Sequence, residues 1–349
     1  MKKRIFTILL PIFVLTLLVT GVLAGCQGRG EDEMTLTIFT PLPEIEFPYY
    51  FNAFTEDTGI EVNFVRLSAG ETMARLLVEG DNATATVIFG GPNDTFVAMQ
   101  REGLLYAYQS PYLSEIPEMF HDADGYWNPI YVGALAFASN TEWFEEQGIE
   151  IPTSWECLTN PELRGQITMA HPSTSGTAYT VLATIIKVFG GDEEAAWDYM
   201  GRLHQNIRHY TRVGAAPIRE VAIGEAAVAL VFAQDAIRTA EEGFPIAVTF
   251  PSEGTGYEVG AVAIIAGGFE HEKNAARQFI DWSMSVRGQE LYIDSQSSRL
   301  PVNQNARYTP GLIHLEELTL VDYDAVWAGE NRTRLVDEFM ERISDEIFE

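Results

Sequence analysis

The sequence predicts an α/β fold of two lobes that are joined by two crossing strands. Residues 35–103 alternate between β-branched apolar stretches and amphipathic stretches, which is typical of a mostly parallel sheet with helices on both faces. Two long apolar stretches, residues 133–140 and 259–266, frame a second set of strands and helices. We therefore predict one lobe from 35–135 and 260–349, a second lobe from 136–259, and a cleft between them.

The first lobe begins with the alternating stretch LTIFTP, which predicts a strand over 36–41 that ends at prolines. The elements predicted after it are a helix over 47–57, a strand over 60–67, a helix over 71–79, a strand over 85–91 and a helix over 95–102. Gly59 and Gly103 follow the first and third of these helices, where glycine commonly ends a helix.

The second lobe follows the first crossing strand, 133–140, and opens with helical turns that Gly148 and Pro152 interrupt. The predicted elements are a strand over 165–172, a turn and helix over 173–191, a helix over 192–204, and strands over 226–235 and 246–251. The second crossing strand, 259–268, precedes a helix over 274–285. The remaining chain is predicted to be mostly helical and to return to the first lobe.

The N-terminal residues predict export and lipid anchoring. The basic start KKR precedes an apolar run over 5–22, as in a signal peptide. The stretch LAGC at 23–26 resembles a bacterial lipobox, in which the cysteine is lipidated and becomes the new N-terminus. We predict a signal peptide over 1–25, lipidation of Cys26 and a polar tether over 26–34. A permanent transmembrane helix is the alternative, because the run nearly reaches bilayer-spanning length.

Charge and cysteine content exclude some functions. The chain has 22 Lys and Arg against 50 Asp and Glu, a net charge of -28, which excludes nucleic acid as a partner. Cys157 is the only other cysteine, so lipidation of Cys26 leaves no internal disulfide. We expect Cys157 to be a buried thiol and the protein to be a monomer without a cofactor.

The segment STSGT predicts an anion site, because hydroxyls and a glycine stand where a strand turns into a helix. A helix start offers free backbone N–H groups and a partial positive charge, and glycine lets an oxyanion approach. The candidate residues are Ser173, Thr174, Ser175, Gly176 and Thr177. The same pattern occurs earlier in the chain at Ser68, Ala69 and Gly70. For both segments the alternative is an ordinary helix N-cap.

Several segments together resemble the solute-binding proteins of bacterial ABC importers, in the branch that binds ferric ion, sugar phosphates and phosphonates. They include VIFGGPNDTF at 87–96, HPSTSGTAY at 171–179, FPSEGTGYEVGAVAII at 250–265 and FIDW at 279–282. The resemblance runs from about residue 35 to residue 303. It implies a type II periplasmic-binding fold, hinged by the two crossing strands, that delivers a small anionic solute to an ABC permease outside the cytoplasm. It implies no catalysis.

Further candidate residues lie at the ends of strands. Gly90 and Gly91 end the third strand and are predicted to face the cleft, unless they only form a tight turn. Gln234 and Asp235 follow a buried strand, and Glu258 lies at the second crossing. Carboxylates accept hydrogen bonds from sugar hydroxyls. The sugar-phosphate branch implies a His-Asp pair and a later Glu at these places, and Gln234 departs from that pattern. Asp235 as a helix cap and Glu258 as a solvated residue are the alternatives.

Ferric ion is the rival ligand, and a surface sensory lipoprotein is a further alternative. A resemblance to the ferric binders of this family implies adjacent tyrosines in the cleft, since hard Fe(III) favours phenolate oxygen. The adjacent pair here, Tyr49 and Tyr50, lies in the first predicted helix, and we expect both to be packing residues. No histidines have metal-binding spacing. Arg212 and Arg299 are candidate fixed charges for an anion, or else surface residues paired with acids.

Overall fold

The computed structural model describes residues 34–347, and from Thr35 onward the chain forms one compact unit. The predicted signal peptide, Cys26 and nearly all of the predicted tether lie outside the described residues, so export and lipidation stay predictions. Within 34–347, none of the helices combines the length and the apolarity needed to span a membrane.

The fold is mixed α/β, as predicted. The helices of the described chain are α1 (Phe47–Thr58), α2 (Ala69–Glu79), α3 (Asn93–Arg101), α4 (Thr141–Gln147), α5 (Gly176–Val188), α6 (Glu193–His204), α7 (Pro217–Ala222), α8 (Ala233–Glu241), α9 (Lys273–Met284), α10 (Val286–Asp294) and α11 (Ala325–Arg342). The strands are β1 (Thr35–Thr40), β2 (Glu61–Arg66), β3 (Val87–Pro92), β4 (Leu105–Tyr106), β5 (Asn128–Asn140), β6 (Ile167–Ala170), β7 (Ile207–Thr211), β8 (Val228–Phe232), β9 (Ile246–Thr249), β10 (Tyr257–Ile265) and β11 (Leu300–Pro301).

Strand β5 belongs to both halves of the sheet, whose order is β2-β1-β3-β10-β5-β8-β6-β7. Its first part, up to Ala134, pairs antiparallel with β10, and its last part, from Leu135, pairs antiparallel with β8 and β9. The pairs β1–β2, β1–β3, β6–β7 and β6–β8 are parallel. Each half therefore has a parallel centre, and β5 passes from one half into the other.

Each half of the sheet has its own apolar core. The first core packs β1, β3 and β10 against α1 and α9, and the second packs β6 and β8 against α5 and α6. Ala328, Leu335 and Phe339 of α11 belong to the second core. The C-terminal helix therefore packs on the second core and also against α3 of the first half, where a Cβ atom on Gly329 would meet Val97 Cβ at 2.6 Å. The predicted domain boundaries stay a prediction.

Several details differ from the sequence-based expectations. The chain after the predicted helix over 274–285 is not mostly helical, because β11 and a long irregular stretch separate α10 from α11. Strand β7 and helix α7 were not predicted, because IRHYT has no apolar alternation and PIREVA is a single short turn. Cys157 is exposed rather than buried: its turn at Glu156–Thr159 buries Leu158 instead. Of the two adjacent tyrosines, Tyr50 packs in the core while Tyr49 is 45% exposed.

Candidate functional site

Two helix starts form the centre of the site. Ser68 precedes α2 in extended conformation, and its backbone N–H donates to Glu71 Oε2 at 3.0 Å, which is one half of a capping box. Ser175 precedes α5, and its Oγ accepts the N–H of Ala178 at 3.3 Å. Both segments are thus helix caps, as their alternative interpretation proposed, and the capping leaves the amides of Ala69, Gly176 and Thr177 available for a further acceptor.

The two helix starts lie against each other. The Gly70 N–H donates to the carbonyl oxygen of Thr174 at 2.9 Å, and a Cβ atom on Gly70 would overlap the carbonyl oxygen of Ser173. A Cβ atom on Gly176 would lie 2.7 Å from Pro92 Cδ at the end of β3. Glycine therefore fits both places, because Gly70 lies against backbone of the other half of the sheet and Gly176 lies against the Pro92 ring.

A cavity of about 450 Å³, part of it open to solvent, lies beside this contact. Nine of the predicted site residues line it: Ser68, Ala69, Gly91, Ser175, Gly176, Thr177, Gln234, Asp235 and Glu258. They come from both halves of the sheet and from chain positions 190 residues apart, yet the fold brings them to one place. Their contact with a solute stays a prediction.

Four predicted site residues do not line the cavity. Gly70 and Thr174 bond to each other, and Thr174 Oγ1 also donates to the Arg212 carbonyl oxygen at 2.9 Å. Ser173 Oγ lies 2.7 Å from His171 Nδ1. Gly90 has positive φ, 96°, and a Cβ atom there would meet Leu42 Cδ2 at 2.7 Å. These four residues thus contact other parts of the protein and do not line the cavity.

Free backbone donors belong to residues that line the cavity. Within the described residues, the amides of Ala69, Gly176 and Thr177 donate to no protein acceptor. All three residues line the cavity, and each stands in the first turn of α2 or α5, where the helix dipole is positive. The arrangement suits an oxyanion, which accepts several N–H bonds at once.

Buried polar side chains form another wall of the cavity. Gln234 Nε2 donates to Glu258 Oε1 at 2.9 Å, and both side chains are almost fully buried. Burial raises the pKa of Glu258 to about 8, although Arg299 and the Gln234 bond oppose the shift. At neutral pH the folded protein therefore holds Glu258 mainly as a neutral carboxyl group, which both donates and accepts hydrogen bonds.

Two arginines also line the cavity. Arg299 is 4% exposed, bonds to Glu46 through Nε at 3.1 Å and Nη2 at 3.2 Å, and stacks on the Tyr131 ring at 4.3 Å. Arg66 ends β2 and donates from Nη2 to the Pro41 carbonyl oxygen at 3.3 Å. Arg299 was a candidate fixed charge, whereas Arg66 was missed; its place at the carboxyl end of a strand was the available signal.

Arg212, the other candidate fixed charge, has a different place. It is not among the lining residues of the cavity, and its Nη2 donates to Glu71 Oε1 at 2.7 Å with the guanidinium about half-exposed. The pair joins the loop after β7 to the first turn of α2. Arg212 thus links the two halves of the sheet next to the cavity.

The raised pKa of Glu258 predicts a pH-dependent stability. The unfolded chain loses this proton near the ordinary value of 4.5 and the folded chain only near 8, so the folded state binds more protons between these values. The stabilising contribution is complete below about pH 4.5 and is lost as pH rises to about 8. Its slope is at most about 1.4 kcal/mol per pH unit.

Urea unfolding of the wild type and of Glu258→Gln between pH 5 and 9 checks this pH dependence. We expect the unfolding free energy of the wild type to fall relative to that of Glu258→Gln as pH rises to about 8. A difference that stays constant over this range would contradict the assignment of the proton to Glu258.

Comparisons with known proteins find relatives over most of the chain. The family model described as bacterial extracellular solute-binding protein matches residues 49–317. AfuA of Actinobacillus pleuropneumoniae, solved with exogenous fructose-6-phosphate bound, is 35% identical with a TM-score of 0.85, over 89% of this chain and 99% of that chain.

The descriptions of two more distant relatives name other ligands. A Salmonella typhimurium protein described as a putative 2-aminoethylphosphonate-binding periplasmic protein is 26% identical over 196 residues, 55% of each chain. Iron-bound HitA of Pseudomonas aeruginosa is 21% identical with a TM-score of 0.73, over 87% of this chain and 99% of that chain. At that identity, the likeness to HitA shows the fold alone.

Proposed function

The chain belongs to the bacterial extracellular solute-binding proteins, the binding components of ABC importers, and we propose that it captures a sugar phosphate, a phosphonate or a similar small organophosphate in the cavity between its two helix starts. The observation that carries this proposal is the convergence of the free amides of Ala69, Gly176 and Thr177 on one cavity. The protein works outside the cytoplasm and passes its solute to a membrane permease.

The phosphate end of the solute fits the helix starts. Ala69, Gly176 and Thr177, which supply three free N–H groups and a hydroxyl, line the same cavity. These donors supply local positive potential in a chain whose net charge of -28 repels anions overall. Charge-assisted hydrogen bonds contribute about 1.5–3 kcal/mol each, so a few of them suffice for tight binding.

The organic part of the solute fits the opposite wall. Gln234, Asp235 and Glu258 offer amide, carboxylate and neutral carboxyl groups within one lining surface. Such a mixed set of donors and acceptors matches sugar hydroxyls, which both donate and accept. AfuA, the relative solved with fructose-6-phosphate, supports a phosphorylated sugar as the solute class.

Ferric ion is the weaker alternative. Between residues 34 and 347 no group of three or more His, Cys, Asp or Glu side chains is arranged to hold a metal ion. Tyr131 is the tyrosine that lines the cavity, and burial raises its pKa, which opposes formation of the phenolate that Fe(III) prefers. The appearance of a visible phenolate-to-iron absorption band on ferric titration would favour iron.

Calorimetric titration tests the proposal. We expect fructose 6-phosphate to bind about a hundredfold tighter than fructose, because two or more charge-assisted bonds are lost with the phosphate. Thr177→Val removes a hydroxyl from a residue that lines the cavity, and it should lower the affinity for fructose 6-phosphate about tenfold. Thr184→Val is the matched control on α5, because the Thr184 hydroxyl is buried without a partner.

The controls make this test decisive. Thr184→Val should leave affinity unchanged, and neither valine variant should lower the melting temperature of the solute-free protein. Equal affinity for fructose and fructose 6-phosphate, or equal effects of the two valine variants, would contradict the placement of the phosphate. We also expect recovery of unchanged sugar phosphate after incubation, since we propose binding without turnover.

The lipid anchor at Cys26 is part of the same proposal, and the lipobox-like stretch LAGC supports it. We expect the wild type in a bacterial host to fractionate with membranes and to incorporate labelled fatty acid. Cys26→Ala should lose the label. A Cys26→Ala protein that keeps the label would show that the acyl chain is attached elsewhere.

A further inference from the structure

A groove adjoins the solute cavity. Pro43, Arg66 and Ala215 line both spaces, so the groove continues from the cavity rather than standing apart. It measures about 1530 Å³, part of it open to solvent, and the other lining comes from residues 44–45, 213–223 and 238–244. Both halves of the sheet contribute to it.

Arg219 stands in this groove without a partner. It is exposed, and within residues 34–347 its guanidinium forms no ion pair and no hydrogen bond. Arg66, at the junction with the cavity, likewise has no ion pair and bonds only to the Pro41 carbonyl oxygen. Arg66 and Arg219 line the same groove. Burial is the main cause of the lowered pKa of Arg66; the charge of Arg219 acts in the same direction, and those of Glu71, Glu44 and Asp235 oppose it.

The other charged residues of the groove are placed differently. Arg238 bonds to Glu46 at 3.2 Å and to Asp235 at 3.1 Å, and its Nε lies 3.9 Å from Glu242, so its charge is balanced. Glu44 is an exposed carboxylate on the groove lining. It acts electrostatically on Arg66 but is not ion-paired with it. Within residues 34–347, the guanidiniums of Arg66 and Arg219 therefore have no paired acid, although the chain has 50 acidic residues.

We propose that the junction of cavity and groove, between Arg66 and Arg219, is a second anion subsite that binds a second phosphate or carboxylate group of the same solute. Guanidinium groups bind such oxyanions through paired N–H bonds, and two of them can hold one anion from two sides. The inference rests on the proposed function, because the first phosphate lies at the helix starts. It predicts that the protein prefers doubly anionic solutes.

Calorimetry with bisphosphates tests the subsite at fixed ionic strength. The probes are fructose 1,6-bisphosphate and glucose 1,6-bisphosphate, each against its 6-monophosphate. We expect the wild type to bind at least one bisphosphate about tenfold tighter than its monophosphate. Arg219→Gln should abolish that preference and change monophosphate affinity less than twofold. Glu44→Gln, which removes a competing carboxylate, should increase the preference.

Arg164→Gln is the matched control, because Arg164 is exposed, its guanidinium has no partner within residues 34–347, and it lines neither the cavity nor the groove. It changes the net charge by the same amount and should alter neither affinity. The subsite hypothesis alone is rejected if the wild type prefers neither bisphosphate over its monophosphate. It is also rejected if Arg219→Gln lowers the affinity for bisphosphate and monophosphate by the same factor. Binding of none of the four sugar phosphates overturns the proposed function and the subsite with it.

Discussion

Gly70→Ala is expected to weaken solute binding by about ten- to a hundredfold. The added methyl group would overlap the Ser173 carbonyl oxygen and displace the Gly70 N–H from the Thr174 carbonyl oxygen. Overpacking of this kind costs about 1–3 kcal/mol. The cost applies to the arrangement in which the two helix starts meet, so it reduces affinity directly. Calorimetric titration with fructose 6-phosphate measures the loss.

Gly201→Ala is the matched control for this prediction. Gly201 also lies inside a helix, α6, and no heavy atom stands within 4 Å of a Cβ built on it. The exchange should raise stability by about 0.5–1 kcal/mol through helix propensity alone and leave affinity unchanged. Wild-type affinity in Gly70→Ala would refute the contact between the helix starts.

Arg299→Met is expected to destabilise the fold by about 3 kcal/mol. Arg299 and Glu46 are buried and joined by two hydrogen bonds across 253 chain positions. Removing the arginine leaves a buried carboxylate whose remaining basic partner is Arg238, and an uncompensated buried charge is strongly destabilising. Urea unfolding measures the loss, and solute affinity should fall as well because Arg299 lines the cavity.

Two further variants separate charge from packing at this pair. Glu46→Leu combined with Arg299→Met removes both charges and should recover part of the lost stability. Arg287→Met removes an arginine whose ion pair with Asp57 is largely exposed, and it should cost less than about 1 kcal/mol. If the double variant were less stable than Arg299→Met, the buried-charge explanation would be wrong.

The sequence predicted much of the fold because its strands and helices have clear local signals. Strands β1, β3 and β10 are apolar or alternating runs, and the helices α1 and α6 have recognisable ends at Gly59 and Asp192. The two helix starts were found for the same reason: hydroxyl residues and glycine directly after a strand are a local pattern. Their meeting at one cavity followed from family resemblance and not from the local pattern.

The remaining parts of the site depend on distant contacts. The Glu46–Arg299 pair and the stacking of Arg299 on Tyr131 join residues that no spacing rule connects. The raised pKa of Glu258 comes from burial, which an isolated GTGYEVGA stretch does not reveal. Strand β7 was missed because its first residues are only partly buried and carry Arg208 and His209, so its sequence lacks the pattern of a central strand.

A crystal structure of the protein with fructose 6-phosphate tests the central claim most directly. We predict that the phosphate oxygens lie about 2.7–3.2 Å from the backbone nitrogens of Ala69, Gly176 and Thr177, a hydrogen-bonding distance. The sugar should then face Gln234 and Glu258. A phosphate bound outside this cavity, or one that reaches only side chains while the three amides stay free, would contradict the account.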